Sequence, residues 1–309
     1  MTKPEKRLWL IVAGAVLVST ALPYIFGYLT TPPDRQFMGL LLDVPDYAQY
    51  LSWFREFQTA NLIGNKLTPE PNNAVFFNLL WWIMGRLSQY TGLGFSILHQ
   101  LLRLFAGIAF LGVIYAFCVL TLPEPRVRRM AFLLAVFAAG FGWVLVLMKY
   151  TVTKGELLYP LDVYVAEPNS LLCIMAFPHF VLASASIVVF FILTIVGHDR
   201  QQLRYAVAAG AVALSLGLQH AYDLLILYGV LGMFTFLVAV RDRRIPWFLV
   251  KNDLIVGLIS WWPGLYSVWL TRTSPIWREV LAQFSNAGVY TPTPFHLVIL
   301  MGLPLLLVA

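Results

Sequence analysis

Two aspartates near the start of the chain have the residue type and the surroundings of a general base. The segment from Leu41 to Glu56 reads LLDVPDYAQYLSWFRE and contains Asp43 and Asp46, three residues apart. Pro45 between them favours a turn before a helix that starts near Asp46, which would place this carboxylate at the positive helix N-terminus. Such an aspartate is often only an N-cap of an interfacial helix. A carboxylate above a membrane is also what is needed to deprotonate an acceptor hydroxyl.

Four further ionisable residues come from two later polar segments. The stretch 159–183 carries Glu167 and His179, and a short turn carries His220 and Asp223. The last two are three residues apart and share a face if the turn is helical. They can bind a divalent cation with the first aspartates, hold a substrate hydroxyl, or pair with each other, and His179 can be a helix cap. Because ionisable groups at membrane depth are costly to bury, all four are candidates for substrate binding.

A basic pair lies at the start of a long apolar run. His99 and Arg103 are four residues apart and therefore share one face of a helix. A guanidinium offers forked donors to phosphate oxygens, so the pair is a candidate site for a lipid phosphate. Snorkelling of the arginine to the membrane surface explains the pair equally well without a ligand.

The elements that must position these residues are predicted to be membrane-spanning helices. Of the 309 residues, 60% are hydrophobic and only 12% are charged, and the mean hydropathy is +0.76. A single soluble core cannot hide so much apolar surface, and a helix needs about 20 apolar residues to cross a bilayer. We therefore predict an all-α polytopic membrane protein with about eight transmembrane helices. The predicted spans are 8–29, 96–121, 129–149, 179–197, 205–220, 222–240, 253–271 and 294–309.

The distribution of charge predicts how these helices are oriented. The first span follows three basic residues and is too long for a cleaved signal peptide, so we expect a retained anchor with a cytoplasmic N-terminus. A ninth apolar run, 75–90, is short and contains Arg86. If this run lies on the outer surface, cytoplasmic segments hold twelve of the 21 Lys and Arg residues and five of the 15 Asp and Glu residues. That bias follows the positive-inside rule, so we interpret 75–90 as an interfacial helix and the outer side as extracytoplasmic.

The sequence lacks the signals of several other function classes. The net charge of +6 arises from short basic clusters between apolar runs, so a nucleic-acid partner is not expected. Cys118 and Cys173 lie in or beside different apolar runs and indicate neither a disulfide nor a thiol metal site. The chain contains no Gly-rich phosphate loop, HExxH motif, paired-cysteine zinc spacing or nucleophile elbow, so hydride transfer and ATP-driven transport have no support.

This organisation resembles the GT-C class of polytopic membrane glycosyltransferases. The shared features are a retained first span, a long first extracytoplasmic loop with interfacial helices, and later spans joined by short loops. The sequence motif of the resemblance is confined to Asp43, Asp46, Tyr47 and Tyr50. The resemblance predicts one transmembrane domain over the whole chain. Its parts are the first span 8–29, the first extracytoplasmic loop 30–95 and seven further spans in 96–309.

The resemblance implies an activity at the extracytoplasmic face of the plasma membrane. In that class a sugar passes from a polyprenyl-phosphate-type lipid donor to an acceptor hydroxyl, and a first-loop aspartate acts as the base. The base would be Asp46 or Asp43, while Arg103 and His99 would bind the donor phosphate. The two acids are three residues apart instead of adjacent, so the choice between them stays open.

The expected partners are a polyprenyl-linked sugar donor, membrane lipids and a glycan, lipid or protein acceptor. No organic cofactor is implied, and a divalent cation can take part. Aromatic side chains on the same side of the membrane are candidates to stack on a sugar. These are Trp53, Tyr159, Tyr164 and Trp277.

Two other function classes use the same residues. A transporter or flippase for a lipid-linked or polar substrate would place Arg103, His220 and Asp223 along a path across the bilayer, and would favour inverted repeats with broken helices. A non-catalytic membrane subunit would keep the loops without turnover. The chain stops inside an apolar run at Ala309, from which we expect a longer protein. Convergence of the polar residues in one outer pocket would favour glycosyl transfer.

Overall fold

The structure is a computed structural model that describes residues 1–153, 163, 169–283 and 293–308. Within these ranges the regular structure is helical, apart from one isolated antiparallel bridge between Ile63 and Phe76. In chain order the helices are α1 Lys3–Thr30, α2 Val44–Glu56, α3 Leu79–Thr91, α4 Phe95–Thr121, α5 Pro125–Phe137, α6 Gly142–Thr151, α7 Ser170–Ala176, α8 Pro178–Arg200, α9 Arg204–Gly217, α10 Asp223–Asp242, α11 Trp247–Thr273, α12 Pro275–Gln283 and α13 Pro294–Val308.

Five described helices are long and apolar enough to cross a membrane, which confirms a polytopic helical membrane protein. They are α1, α4, α8, α10 and α11. A sixth span is formed if α5 and α6 act together across their break, where the chain bends by 41°. The total of eight predicted spans remains a prediction.

The remaining predicted spans differ from the observed helices at glycine and proline positions. The predicted span 129–149 is interrupted between α5 and α6, where Gly140 and Gly142 are poor helix formers. The predicted span 205–220 contains the 14-residue helix α9, which ends at Gly217. In α13 the helical geometry breaks at Gly302, whose φ is +50°. Apolar composition alone overestimated the helical length at these three places.

The run 75–90 forms the short helix α3. Asn78 caps its N-terminus by accepting a hydrogen bond from the Trp81 N–H at 3.2 Å, and Gly92 ends it in the left-handed conformation with φ +72°. Its 13 residues span about 20 Å at a rise of about 1.5 Å each, less than the roughly 30 Å hydrocarbon core. This helix alone is too short to cross a membrane, which agrees with the positive-inside interpretation that 75–90 is not a span. Its location at the membrane interface remains a prediction.

The chain divides into two compact units. Unit 1 comprises residues 1–43, 99–182 and 288–309, and unit 2 comprises residues 44–98 and 183–287. The divisions fall just before α2 and inside α4 and α8. The single transmembrane domain expected from the resemblance remains a prediction.

In unit 1, α1 packs against α4, α5 and α7. A capping box between Thr2 and Glu5 starts α1, and the indole of Trp9 donates to the Leu111 carbonyl of α4 at 3.1 Å. The hydroxyl of Tyr24 donates to the Met175 carbonyl of α7 at 2.7 Å. These long-range bonds fix the rotation of α1 about its axis, because each joins one face of α1 to a neighbouring helix.

In unit 2, α9, α10 and α11 form an apolar bundle, and α2 packs on α3. Small residues allow the close approach in both places. Ile259 of α11 lies against Gly210, and the backbone and side chain of Phe57 lie against Gly85 of α3. The core of the bundle is made by Phe190 of α8 together with Ala209, Ala213, Leu216, Leu224, Leu227 and Val256 of the three helices.

The segment 57–78 between α2 and α3 is held to unit 2 by hydrogen bonds. Arg86 of α3 donates to the carbonyls of Gln58 and Ala60 at 2.8 and 3.1 Å. At the other end of the segment, the Asn78 amide donates to the Gln219 carbonyl at 3.1 Å, and the Tyr266 hydroxyl donates to the Val75 carbonyl. This segment therefore forms a fixed wall beside the ends of α9 and α11.

Candidate functional site

Arg103 is a buried cation in a membrane-spanning helix of unit 1. It is 2% exposed and lies on α4, two turns after the helix begins. Its Nε donates to the Gln100 side-chain oxygen at 2.8 Å, and its Nη1 donates to the Thr20 hydroxyl at 3.0 Å. The guanidinium also lies 5.0 Å from the centre of the Tyr24 ring. These neighbours orient the side chain, but none of them carries a compensating negative charge.

The surroundings of Arg103 make it suitable for binding an anion. Within the described parts of the chain, no carboxylate forms an ion pair with it, and its Nη2 donates to no protein group. An ionised group buried without a counter-charge is strongly unfavourable, and a guanidinium has five N–H donors in a planar fork. A phosphate oxygen at Nη2 would supply both the charge and the missing acceptor.

His99 and His179 are buried in the same unit as Arg103. His99 is 0% exposed and lies one turn before Arg103 on α4, as their spacing predicted. His179 is 3% exposed at the start of α8, with its ring centre 4.2 Å from that of Phe180. Both Arg103 and His99 are buried by protein atoms, and snorkelling of the arginine to the membrane surface remains an alternative prediction.

The two candidate bases are both exposed. Asp43 has a left-handed backbone with φ +53° and ends the first stretch of unit 1. Asp46 lies in the first turn of α2, in unit 2. The helix begins at Val44, two residues earlier than predicted, so Asp46 is inside the first turn, where the helix dipole favours a carboxylate. Glu167, Tyr159 and Tyr164 lie outside the described residues.

Unit 2 contains a cavity of about 1040 Å³ between the segment 57–78, the α9–α10 turn and helices α11 and α12. This volume is large enough for an extended ligand. Its wall is mostly apolar and includes eight aromatic side chains among the described residues, with polar groups at a few positions. The aromatic residues are Phe76, Phe77, Tyr222, Tyr228, Trp261, Trp262, Tyr266 and Trp277. We call this cavity the aromatic groove.

The polar groups of the aromatic groove lie at defined positions. Tyr228 lines the groove, and its hydroxyl lies 2.8 Å from the hydroxyl of Ser260, which is fully buried and is not part of the groove wall. The indole Nε1 of Trp277 is buried and donates to no other described group. Trp277, a predicted sugar-stacking residue, lines the groove, whereas Trp53 is buried against Phe76.

His220 and Asp223 approach each other at one end of the groove. His220 Nδ1 lies 3.8 Å from a carboxylate oxygen of Asp223 and 2.8 Å from the Tyr222 hydroxyl. Burial lowers the pKa of His220 to about 4, so the ring is neutral at physiological pH. The shorter contact with Tyr222 and the neutral ring indicate a hydrogen-bonded His220 instead of a charged pair with Asp223.

A complete metal site is not formed by the side chains that the structure describes. Within those ranges, no three His, Cys, Asp or Glu side chains come together as ligands. His220 and Asp223 would supply at most two ligands to a cation. A role for a divalent cation therefore remains a prediction that needs further ligands.

Sequence reasoning missed three residues of the Arg103 site, namely Thr20, Tyr24 and Gln100. Thr20 is 83 residues away from Arg103 in the chain, so no local spacing relates the two. The polar positions of α1 were a usable signal, because Thr20 and Tyr24 are four residues apart and share a helix face within an otherwise apolar span.

Comparison of the chain with protein-family models, with curated proteins and with solved structures finds no match.

Proposed function

We propose that the protein is a membrane glycosyltransferase that moves a sugar from a polyprenyl-phosphate-type lipid donor to an acceptor hydroxyl at the extracytoplasmic surface. In this proposal Arg103 binds the donor phosphate. The observation that carries it is the burial of this guanidinium, 2% exposed, without a carboxylate partner among the described residues. A lipid phosphate reaches a site inside a membrane helix bundle without leaving the bilayer, unlike a soluble nucleotide.

The aromatic groove supports the same class of substrate by a separate argument. Its apolar wall suits an isoprenoid chain, and its rings suit the apolar face of a sugar. The side chains of Gln219, His220 and Tyr228 offer a few polar contacts within that wall. A site with this composition is suited to an amphipathic ligand.

Asp46 is the proposed general base. A base needs a carboxylate that is ionised at neutral pH and accessible to the acceptor, and Asp46 is exposed in the first turn of α2. Asp43, three residues earlier, is the alternative base. His220 is neutral and bonded to Tyr222, so it is better suited to accept or donate a hydrogen bond to a sugar hydroxyl.

The phosphate site is tested by measuring how polyprenyl phosphate binds to the purified protein in detergent. Polyprenyl phosphate should raise the unfolding midpoint of the wild type, because a ligand that binds only the folded state stabilises it. We expect Arg103→Gln to weaken this binding about tenfold or more, since a charge-assisted hydrogen bond contributes about 1.5–3 kcal/mol. Arg103→Lys keeps the charge but loses the fork, and should bind with intermediate affinity.

The matched control is Arg35→Gln, which removes an arginine whose side chain is 77% exposed. This variant should bind polyprenyl phosphate like the wild type. Unchanged binding by a folded Arg103→Gln variant, or no binding by the wild type, would overturn the phosphate site. Lipid translocation in vesicles without sugar transfer would favour the transporter or flippase.

The base is tested by assaying sugar transfer from a panel of polyprenyl-phosphate sugars with Asp46→Asn and Asp43→Asn. We expect Asp46→Asn to abolish transfer and to lower the unfolding midpoint only slightly, because the exposed side chain loses only its interaction with the helix dipole. Asp43→Asn should retain activity. Full transfer by a folded Asp46→Asn variant would remove this residue as the base, and loss of transfer only in Asp43→Asn would assign the role to Asp43.

A further inference from the structure

A second pocket of unit 2 lies in the segment 57–78 and at the end of α2, and its chemistry differs from that of the aromatic groove. It has a volume of about 430 Å³ and includes Ser52, Glu56, Asn65, Lys66, Thr68 and Glu70 in its wall. None of the described residues in its wall is aromatic. Its wall thus consists of hydroxyl, carboxylate, amide and ammonium groups together with small residues and prolines. We call it the loop pocket.

Two asparagines hold the backbone of the loop pocket in place. The Asn72 side-chain oxygen accepts from the Asn65 N–H at 2.6 Å. The Asn72 amide nitrogen donates to the carbonyls of Asn65 and Glu70 at 3.2 and 3.0 Å. Gly64 allows this close approach, because a Cβ at that position would lie 2.7 Å from the Asn72 side-chain oxygen. The pocket is therefore pre-organised by hydrogen bonds within the segment.

Asn65 is the side chain that indicates a ligand. It is 2% exposed, and its Oδ1 accepts from the Leu67 N–H at 2.8 Å, which determines the orientation of the amide. The Nδ2 is consequently left buried and without an acceptor among the described residues. A buried donor without an acceptor is unfavourable, and such groups are rare in folded proteins. Asn65 belongs to the wall of the loop pocket, so an oxygen of a bound molecule would satisfy this donor once the wall opens at this side chain.

The charges of the loop pocket limit the class of molecule. Glu56 forms an ion pair with Lys66, and Glu70 adds a second carboxylate, so the ionisable groups in its wall carry a net charge of −1. A phosphate or another anion would be repelled by that charge. A hydroxyl group donates to a carboxylate and accepts from an amide, so a neutral molecule with several hydroxyls matches all of these groups at once.

We infer that the loop pocket binds a neutral carbohydrate, with Asn65 Nδ2 donating to one sugar hydroxyl and the Glu70 carboxylate accepting from another. The inference needs no transferase activity, because it rests on the pocket alone. Its residues belong to unit 2, whereas Arg103 belongs to unit 1, so the phosphate site and the carbohydrate site are tested by different variants. If the protein is a glycosyltransferase, the loop pocket would select the glycan that carries the acceptor hydroxyl.

The test uses a printed array of neutral and acidic glycans, probed with the fluorescently labelled full chain in detergent. We expect the wild type to bind a subset of the neutral glycans. Glu70→Gln removes an exposed carboxylate, and Asn65→Asp replaces the donor by an acceptor of the same shape. Both should weaken the affinity for the best neutral glycan about tenfold. Glu124→Gln removes an exposed glutamate of unit 1 and should have no effect.

Three outcomes would overturn the inference: no binding to any neutral glycan, a preference for acidic glycans, or unchanged affinity in Glu70→Gln. Because Glu70 is exposed, Glu70→Gln should fold even if Asn65→Asp does not. Failure of the phosphate proposal is recognised separately, since it appears as unchanged polyprenyl-phosphate binding in Arg103→Gln. Loss of glycan binding in Glu70→Gln with normal polyprenyl-phosphate binding would support the loop pocket alone.

Discussion

At the scale of single residues, the two proposed sites share one physical feature, a buried polar group whose hydrogen-bonding capacity the described residues do not satisfy. Arg103 lacks a negatively charged partner among the described residues, and the Asn65 Nδ2 lacks a hydrogen-bond acceptor. Burial makes both groups costly in the empty protein, so the gain on binding is larger than at an exposed site. His99 and His179, in the same unit as Arg103, are also buried.

A pH dependence is expected from His220. Burial lowers the pKa of this side chain to about 4, whereas a histidine in an unfolded chain titrates near about 6.5. Between these values the unfolded chain binds a proton that the folded protein does not. The contribution of His220 to the free energy of unfolding should therefore fall as the pH decreases from about 6.5 to about 4, and should not vary with pH above that range.

This is checked by comparing unfolding midpoints of the wild type and His220→Gln in detergent at neutral pH and near pH 5. The difference between the two proteins should narrow or reverse at the lower pH, because the variant lacks the titrating ring. An identical loss of stability in both proteins would show that other groups cause it.

At the scale of secondary-structure elements, the approach of α2 to α3 depends on Gly85. A Cβ at this position would lie 2.8 Å from the Phe54 carbonyl oxygen and from backbone and side-chain atoms of Phe57. These backbone atoms cannot move away as the end of a flexible side chain can. The pair α2 and α3 carries Asp46 and supports both ends of the segment 57–78, so its packing positions the proposed base and the loop pocket.

We expect Gly85→Ala to lower the unfolding midpoint. Alanine favours a helix over glycine by about 1 kcal/mol, but forcing an extra methyl group into a packed contact costs about 1–3 kcal/mol. Gly229→Ala in α10 is the matched control, because no atom of the described residues lies within 4 Å of its Cβ position. That variant should be neutral or more stable. Equal midpoints for both variants would contradict the close packing of α2 on α3.

At the scale of the whole molecule, the long helices expose apolar side chains that only a lipid environment accommodates. Phe26 and Leu29 of α1, Leu225 of α10 and Leu258 of α11 are all more than 65% exposed. A soluble protein would rarely present so many large apolar groups together. The charges between the helices then predict which loops lie in the cytoplasm.

This orientation is testable with single cysteines and a membrane-impermeant thiol reagent. Cys118 and Cys173 are buried and should react slowly in intact vesicles. In right-side-out vesicles, we expect Glu70→Cys to be labelled and Arg126→Cys to be protected until the membrane is opened. The reverse labelling pattern would show that the positive-inside interpretation is wrong, and labelling of both positions would contradict a fixed orientation.

Local sequence patterns predicted much of the helical structure of this protein. Membrane helices were predictable because apolar runs of sufficient length have few alternatives in a bilayer, and five of them are long enough to cross it. The short α3 was predictable from its charges and glycines, and the shared face of His99 and Arg103 from their spacing. The breaks at Gly140, Gly142 and Gly302 were not predicted, because glycine lowers helix stability without fixing where a helix ends.

The amino-acid sequence by itself determined that this is a helical membrane protein. Its charge pattern predicted the orientation of the helices, and Asp43 and Asp46 predicted a general base in the first loop. Only the tertiary structure placed Thr20 and Tyr24 around Arg103, and Asn72 against Asn65. Only it assembled the aromatic groove from segments far apart in the chain. The physical reason is that hydrophobic length and periodicity are local properties, whereas an unsatisfied buried donor or charge is defined by everything packed around it.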